Sequence, residues 1–184
     1  MNLTAASLQG SAEPAPYSLD ETSLPAPVLV LGMGNILLED EGLGIHALRL
    51  LQQRYELPSE VEFLDGGTSG MALIEQISGR RHLLVLDAVQ TGDPPGTLVN
   101  MSDQDVPVYF GLRVTPHQLG LSDVLASLKL TEEQPDEVTV LGLVPRSLEM
   151  SLDLSEQIGS RLEDLVEAVV EELHSLGYPL SPKS

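Results

Sequence analysis

Between Pro27 and about residue 178 the chain alternates short continuous apolar runs with amphipathic stretches. The runs "VLVLG" (28–32), "VEFLDG" (61–66) and "HLLVLDAV" (82–89) have strand length, and the stretches at about 41–54 and 70–77 between them have helical spacing. This reads as βαβαβ. A further strand is expected at "GTLVNM" (96–101), a helix near 117–129, a strand at "EVTVLGLVP" (137–145) and a last helix from about 155 to 176. In that last helix Ile158, Leu162, Leu165, Val166, Val169 and Leu173 recur at spacings of three and four, with Ser155 as N-cap, so one apolar stripe should lie on the sheet. Continuous apolar runs mark strands covered on both faces. The expected fold is a single-domain three-layer α/β sandwich, with a twisted, mostly parallel sheet of about five strands and helices on both faces.

Residues 1–26 break the pattern: they are rich in Ser, Ala, Pro and acid and show no apolar period, as expected of a flexible extension. Residues 27–178 then form the domain, and 179–184 a flexible C-terminal tail. The extension has neither a basic region nor a long apolar core, which argues against a targeting peptide, and no segment reaches the ~20 apolar residues of a membrane span.

Charge narrows the function. With 28 acidic against 9 basic Lys and Arg residues the formal net charge is −19, which disfavours nucleic acid and anionic membrane surfaces as partners. Cysteine is absent, removing disulfides, thiol nucleophiles and Cys-type zinc sites, and agrees with a cytoplasmic location.

The segment "GMGNILLEDEGLG" (32–44) sets Glu39, Asp40 and Glu41 where a strand turns into a helix, a place that otherwise suits anions. A dinucleotide fingerprint would need glycine at Leu37, and no G-K-[ST] occurs, so a nucleotide-binding domain is a weak rival reading. The plainer reading has the glycines making a tight turn and Asp40 capping the next helix. Asp65 in "FLDGGTSGM" and Asp87 in "LLVLDAV" end the next two strands, and the carboxyl ends of strands form the ligand crevice of open α/β sheets. Asp65 reads equally as a turn residue, whereas Asp87, following a buried strand, needs a partner.

In "TPHQLGLSDVL", Thr115 and Pro116 suit a helix start and put His117 in the first turn, where the dipole favours a neutral, ligating imidazole. Two carboxylates and an imidazole with room for another ligand suit zinc or nickel. His46, His82 and His174 read as structural. No H-E-x-x-H or G-x-S-x-G is present.

These residues taken together resemble the hydrogenase maturation endopeptidases, which trim a C-terminal extension from the large subunit of nickel-iron hydrogenases. The likeness runs over "LVLGMGNILLEDEGLG", "EFLDGGTSGMALI", "HLLVLDAV" and "VTPHQLGLSDVLASL", in order, and covers about residues 28–175. It implies Glu41, Asp87 and His117 as metal-binding residues, with Glu41 standing where many members carry Asp. The metal implied is nickel carried by the substrate, though zinc or cadmium could occupy the same place. The implied partner is the large-subunit precursor and the implied state a monomer. Asp40 and Asp65 are the carboxylates available as general base. A non-catalytic nickel-binding or chaperone protein could use the same three residues.

Overall fold

The computed structural model describes residues 25–102, 106 and 116–183, with the side chains of 116–119 outside that description. Strand β1 (Val28–Met33) is buried along its whole length and leads through a 3₁₀ turn (Glu39–Gly42) into helix α1 (Leu43–Arg54). Then follow β2 (Tyr55–Glu56), β3 (Val61–Gly67), a 3₁₀ turn (Met71–Leu73) running into α2 (Ile74–Ile77), β4 (His82–Ala88) and β5 (Leu98–Ser102). Helix α3 (Pro116–Leu130), β6 (Glu137–Leu143), α4 (Glu156–Gly159), α5 (Leu162–Ser175) and β7 (Ser181–Pro182) complete the chain.

The main sheet has the order β3-β1-β4-β6-β5, parallel except for β5, which runs antiparallel to β6 at the edge. Side chains of β1 alternate between two apolar layers. Val28 and Val30 pack with Leu43, Leu48 and Leu51 of α1 and Leu165, Val169 and Leu173 of α5. Leu29, Leu31 and Met33 belong to the second layer, with Leu73, Ile77 and Leu121, Val124 and Leu128 of α3. Burial on both faces is why these strands read as continuous apolar runs. The expected three-layer sandwich is the observed architecture.

Entry to the sheet is fixed by buried Arg80. Its guanidinium donates to the Ala26 carbonyl (2.7 Å), the Gln76 carbonyl (2.8 Å) and the Glu62 carboxylate (2.6 Å), so its charge is paired despite burial. Among the described residues no helix is long and apolar enough to cross a membrane.

Two expectations are corrected. The last helix is interrupted: Ser155 does cap α4, accepting from the Ile158 N–H at 3.4 Å, but Gly159 and Ser160 are weak helix formers. The Ser160 hydroxyl donates to the Gln157 carbonyl at 2.8 Å, and the helical path restarts at Leu162. The segment 179–184, expected to be a flexible tail, is tied down over its described part. Leu180 is buried, Ser181 and Pro182 pair with Glu56 and Tyr55, and the Lys183 N–H donates to the Arg54 carbonyl at 2.7 Å. The expected extension over 1–26 lies, up to residue 24, outside the described residues.

Candidate functional site

The site is built at the point where the sheet changes direction. From β1 the chain crosses to β3 on one side, and β4 then lies on the other, so the carboxyl ends of β1 and β4 border a crevice of the kind where open α/β sheets bind ligands. The register sets Gly32 of β1 between Asp65 of β3 and Leu86 of β4, one residue before Asp87.

Over that point sits the 3₁₀ turn carrying Glu41, held there by backbone packing that only glycine permits. A Cβ on Gly44 would lie 2.0 Å from the Leu86 carbonyl oxygen and 2.5 Å from that of Met33. Gly34 has φ +124°, and a Cβ there would meet the Glu41 carbonyl oxygen at 1.8 Å. The two glycines thus press the acidic turn onto β4, which it contacts. Glu41 and Asp87, expected as metal ligands, are both buried on these adjoining elements. One Asp87 oxygen accepts from the Ala88 N–H at 2.8 Å, and neither carboxylate is without an interaction partner.

His117 occupies the first turn of α3, as expected from the sequence; its side chain, like Thr115, lies outside the described residues. The backbone path of that helix is nonetheless anchored near the site. Gly120, one turn further on, is pressed against Gly70 in the β3–α2 connection, where a Cβ on Gly120 would come within 2.6 Å of the Gly70 Cα. The start of α3 is thereby brought to the edge of the sheet that carries Asp65. Among the described residues no three His, Asp or Glu side chains converge as a metal cluster.

Asp65 is half-exposed. Its Oδ1 accepts from the Gly67 N–H at 3.1 Å, the turn role the sequence allowed, while Oδ2 faces the Arg49 guanidinium at 3.7 Å. Together with Gly34, Asn35, Ile36, Leu37, Ile45 and Thr68 it lines an open hollow of about 330 Å³ beside the acidic turn.

Asp40 does something the sequence did not indicate. Neither α1 nor the turn before it is capped by a side chain, so the expected cap is corrected. The Asp40 carboxylate is instead fully buried and faces the loop after β6. Oδ2 accepts from the Arg146 N–H (2.9 Å), the Ser147 N–H (3.0 Å) and the Ser155 hydroxyl (2.9 Å), and Oδ1 from the Ser155 N–H (2.8 Å). Fully buried and occupied by four donors, this carboxylate has no open approach for a water molecule. This geometry argues against Asp40 as general base. It makes Asp40 the post that holds the 146–155 loop against the acidic turn. The same loop donates Ser151 N–H to the Leu37 carbonyl (3.1 Å) and accepts the Glu39 N–H (3.0 Å), which holds Glu39 at φ +46°, uncommon for an L-residue.

The three other histidines stay out of this constellation in their described contacts. His82 Nδ1 is 3.0 Å from Glu137 and His174 ends α5. His46 projects from α1, and its Nε2 is buried with no hydrogen-bond partner among the described residues. Burial pulls its imidazole below the ordinary histidine range, nearby Arg49 adds to the effect, and the Leu152 backbone and Asp153 oppose it.

Comparison with known proteins agrees with this architecture. A sequence model of the hydrogenase maturation protease family matches residues 45–172. The hydrogenase 2 maturation protease of Escherichia coli K12 is 43% identical over 157 residues, covering 85% of this chain and 96% of that protein. The hydrogenase expression/formation protein HupD of Rhodobacter capsulatus is 37% identical, covering 85% and 76%. In three dimensions the chain superposes on the hydrogenase maturating endopeptidase HybD of E. coli with a TM-score of 0.82 at 42% identity, over 85% of this chain and 97% of that one. With the switch-point crevice, the glycine-pressed acidic turn and these likenesses in hand, the chain belongs to the hydrogenase maturation protease family and is a peptidase.

Proposed function

We propose that this peptidase removes a C-terminal extension from a nickel-loaded [NiFe] hydrogenase large-subunit precursor, and that Glu41, Asp87 and His117 recognise the nickel in that substrate. The observation that carries the reading is the pair of buried carboxylates, Glu41 and Asp87, on adjoining elements at the switch point. Carboxylates carried on adjoining elements at a ligand crevice are a donor set for a divalent cation. Carboxylate and imidazole donors suit nickel, and would equally accept zinc or cadmium. The metal enters with the substrate and serves to select loaded precursors.

Hydrolysis falls to Asp65, the half-exposed acid in the hollow next to the acidic turn. As general base its Oδ2, 3.7 Å from the Arg49 guanidinium, takes a proton from water while the water oxygen attacks the scissile carbonyl, and Asp65 then returns that proton to the departing amide nitrogen as the C–N bond breaks. Asp40 positions the loop and does not touch the reacting atoms. The strong like charge of the chain favours a monomer, and its lack of cysteine agrees with action on a partner protein in the cytoplasm.

The test is to incubate the purified chain with nickel-loaded and nickel-free precursor and follow the mass of the large subunit. Shortening of the loaded precursor alone is expected, lost in Asp87→Asn and His117→Ala variants that melt at the wild-type temperature. Equal shortening of both precursors would overturn the nickel role. Binding of the loaded precursor without any shortening would favour the non-catalytic, chaperone-like reading.

A further inference from the structure

The loop that Asp40 holds in place presents apolar side chains to solvent. Met150 is 87% exposed, Leu152 64%, Leu37 54% and Leu148 38%. They belong to two segments joined by the parallel bridge Leu38↔Ser151. The Ser151 N–H donates to the Leu37 carbonyl at 3.1 Å and the Ser151 carbonyl accepts from the Glu39 N–H at 3.0 Å, so Leu37 lies beside the segment that carries Met150 and Leu152. An apolar face on a loop pinned by four hydrogen bonds to one buried carboxylate is a fixed surface, and such patches mark interaction sites.

What covers it follows from position and charge. Leu37 belongs both to this face and to the hollow that contains Asp65, so a chain lying in the hollow continues onto the patch. The patch is bordered by Glu39, Glu149 and Asp153, and neither 34–41 nor 147–153 contains Lys or Arg. Arg146, just outside, turns to Gln157 at 3.1 Å. A second copy, carrying its own −19, would set acid against acid; so would residues 1–24, which hold Glu13, Asp20 and Glu21 and no base. A partner segment that is apolar and flanked by basic residues satisfies both demands.

We propose that Leu37, Leu148, Met150 and Leu152 form the docking surface for an apolar, basic-flanked segment of the hydrogenase precursor, adjoining the segment that is cut. The proposal rests on the functional reading above, since it takes the precursor as the partner. It assigns to the 147–153 loop the affinity for substrate, separate from the nickel recognition and the chemistry.

The test uses the full chain carrying Met150→Ser with Leu152→Ser, two exposed positions whose change leaves the core intact. Processing is measured against nickel-loaded precursor concentration, and binding to the same precursor by calorimetry. The expected result is an apparent KM and a Kd raised about tenfold with kcat unchanged, and wild-type binding that weakens as salt increases. An unchanged KM and Kd overturns the proposal. So does a concentration-dependent dimer of the wild type that the double variant abolishes, which makes a second copy the occupant. Faster hydrogen exchange over 147–153 after deletion of residues 1–24 likewise overturns it in favour of the chain's own N-terminus. If the wild type cuts no precursor, the functional reading fails while calorimetry still decides docking: weaker binding by the double variant upholds it, and absence of binding by either protein overturns it.

Discussion

Replacing Asp40 separates a structural role from a chemical one. Its carboxylate is fully buried and receives three backbone N–H groups and one hydroxyl at 2.8–3.0 Å. In Asp40→Ala all four donors lose their partner. An unsatisfied buried donor costs about 1–3 kcal/mol, and since the Arg146 and Ser147 amides are only partly buried and can recruit water, the total is roughly 3–6 kcal/mol. That is a large share of the ~5–15 kcal/mol that holds a domain of this kind together. Asp40→Asn is milder. Its carbonyl oxygen can take the Oδ2 position with three donors, which leaves the amide NH₂ against the Ser155 N–H, one lost bond and one repulsive contact, roughly 2 kcal/mol. Urea unfolding followed by circular dichroism measures both values, and processing of nickel-loaded precursor is assayed at a temperature where each variant is folded. The expected outcome is graded destabilisation, with activity in folded Asp40→Asn reduced through misplacement of the acidic turn. If Asp40→Asn is as stable as the wild type, within about 0.5 kcal/mol, and yet inactive, the positioning argument is wrong and the carboxylate acts on substrate.

Two further outcomes follow from the same geometry. Gly34→Val places a Cβ 1.8 Å from the Glu41 carbonyl oxygen at φ +124°, so the acidic turn must shift; the prediction is a loss of about 3 kcal/mol or more by urea titration together with loss of processing, and a fully stable variant would refute the close packing. His46 has a folded-state pKa below its unfolded one, so the unfolded chain takes up a proton first as pH falls: stability present above the ordinary histidine pKa of about 6.5 declines below it. In His46→Gln the fall in melting temperature from about pH 7 to about pH 5 should be shallower than in the wild type, and superimposable profiles would contradict the assignment.

Much of the molecule was legible from residue order. Runs such as "VLVLG" and "HLLVLDAV" are strands because both their faces are buried, and β1, β3, β4 and β6 appear where such runs stand. Local chemistry also set the Ser155 cap and the glycine turn at Gly34, since caps and positive φ depend on neighbours a few residues away. The acids at 41, 65 and 87 could be placed on one edge of the sheet, because parallel strands joined by helices put every strand's carboxyl end on the same side.

What a single dimension could not contain was which distant segments meet. Asp40 read as a helix cap because a cap needs only the next three residues; its true partners lie 106–115 positions away on the loop after β6. The tail read as free because its strand partner, Tyr55 and Glu56, is more than a hundred residues distant. Likewise the contact of Gly120 with Gly70, which brings the start of α3 to the site, and the pairing of Leu38 with Ser151 exist only once the sheet is assembled. Sequence alone determined the elements and the inventory of acids, since those depend on local propensity and burial period. Tertiary structure decided which of those acids is a structural post and which borders the cleft, because a carboxylate's role is set by the donors and the solvent around it.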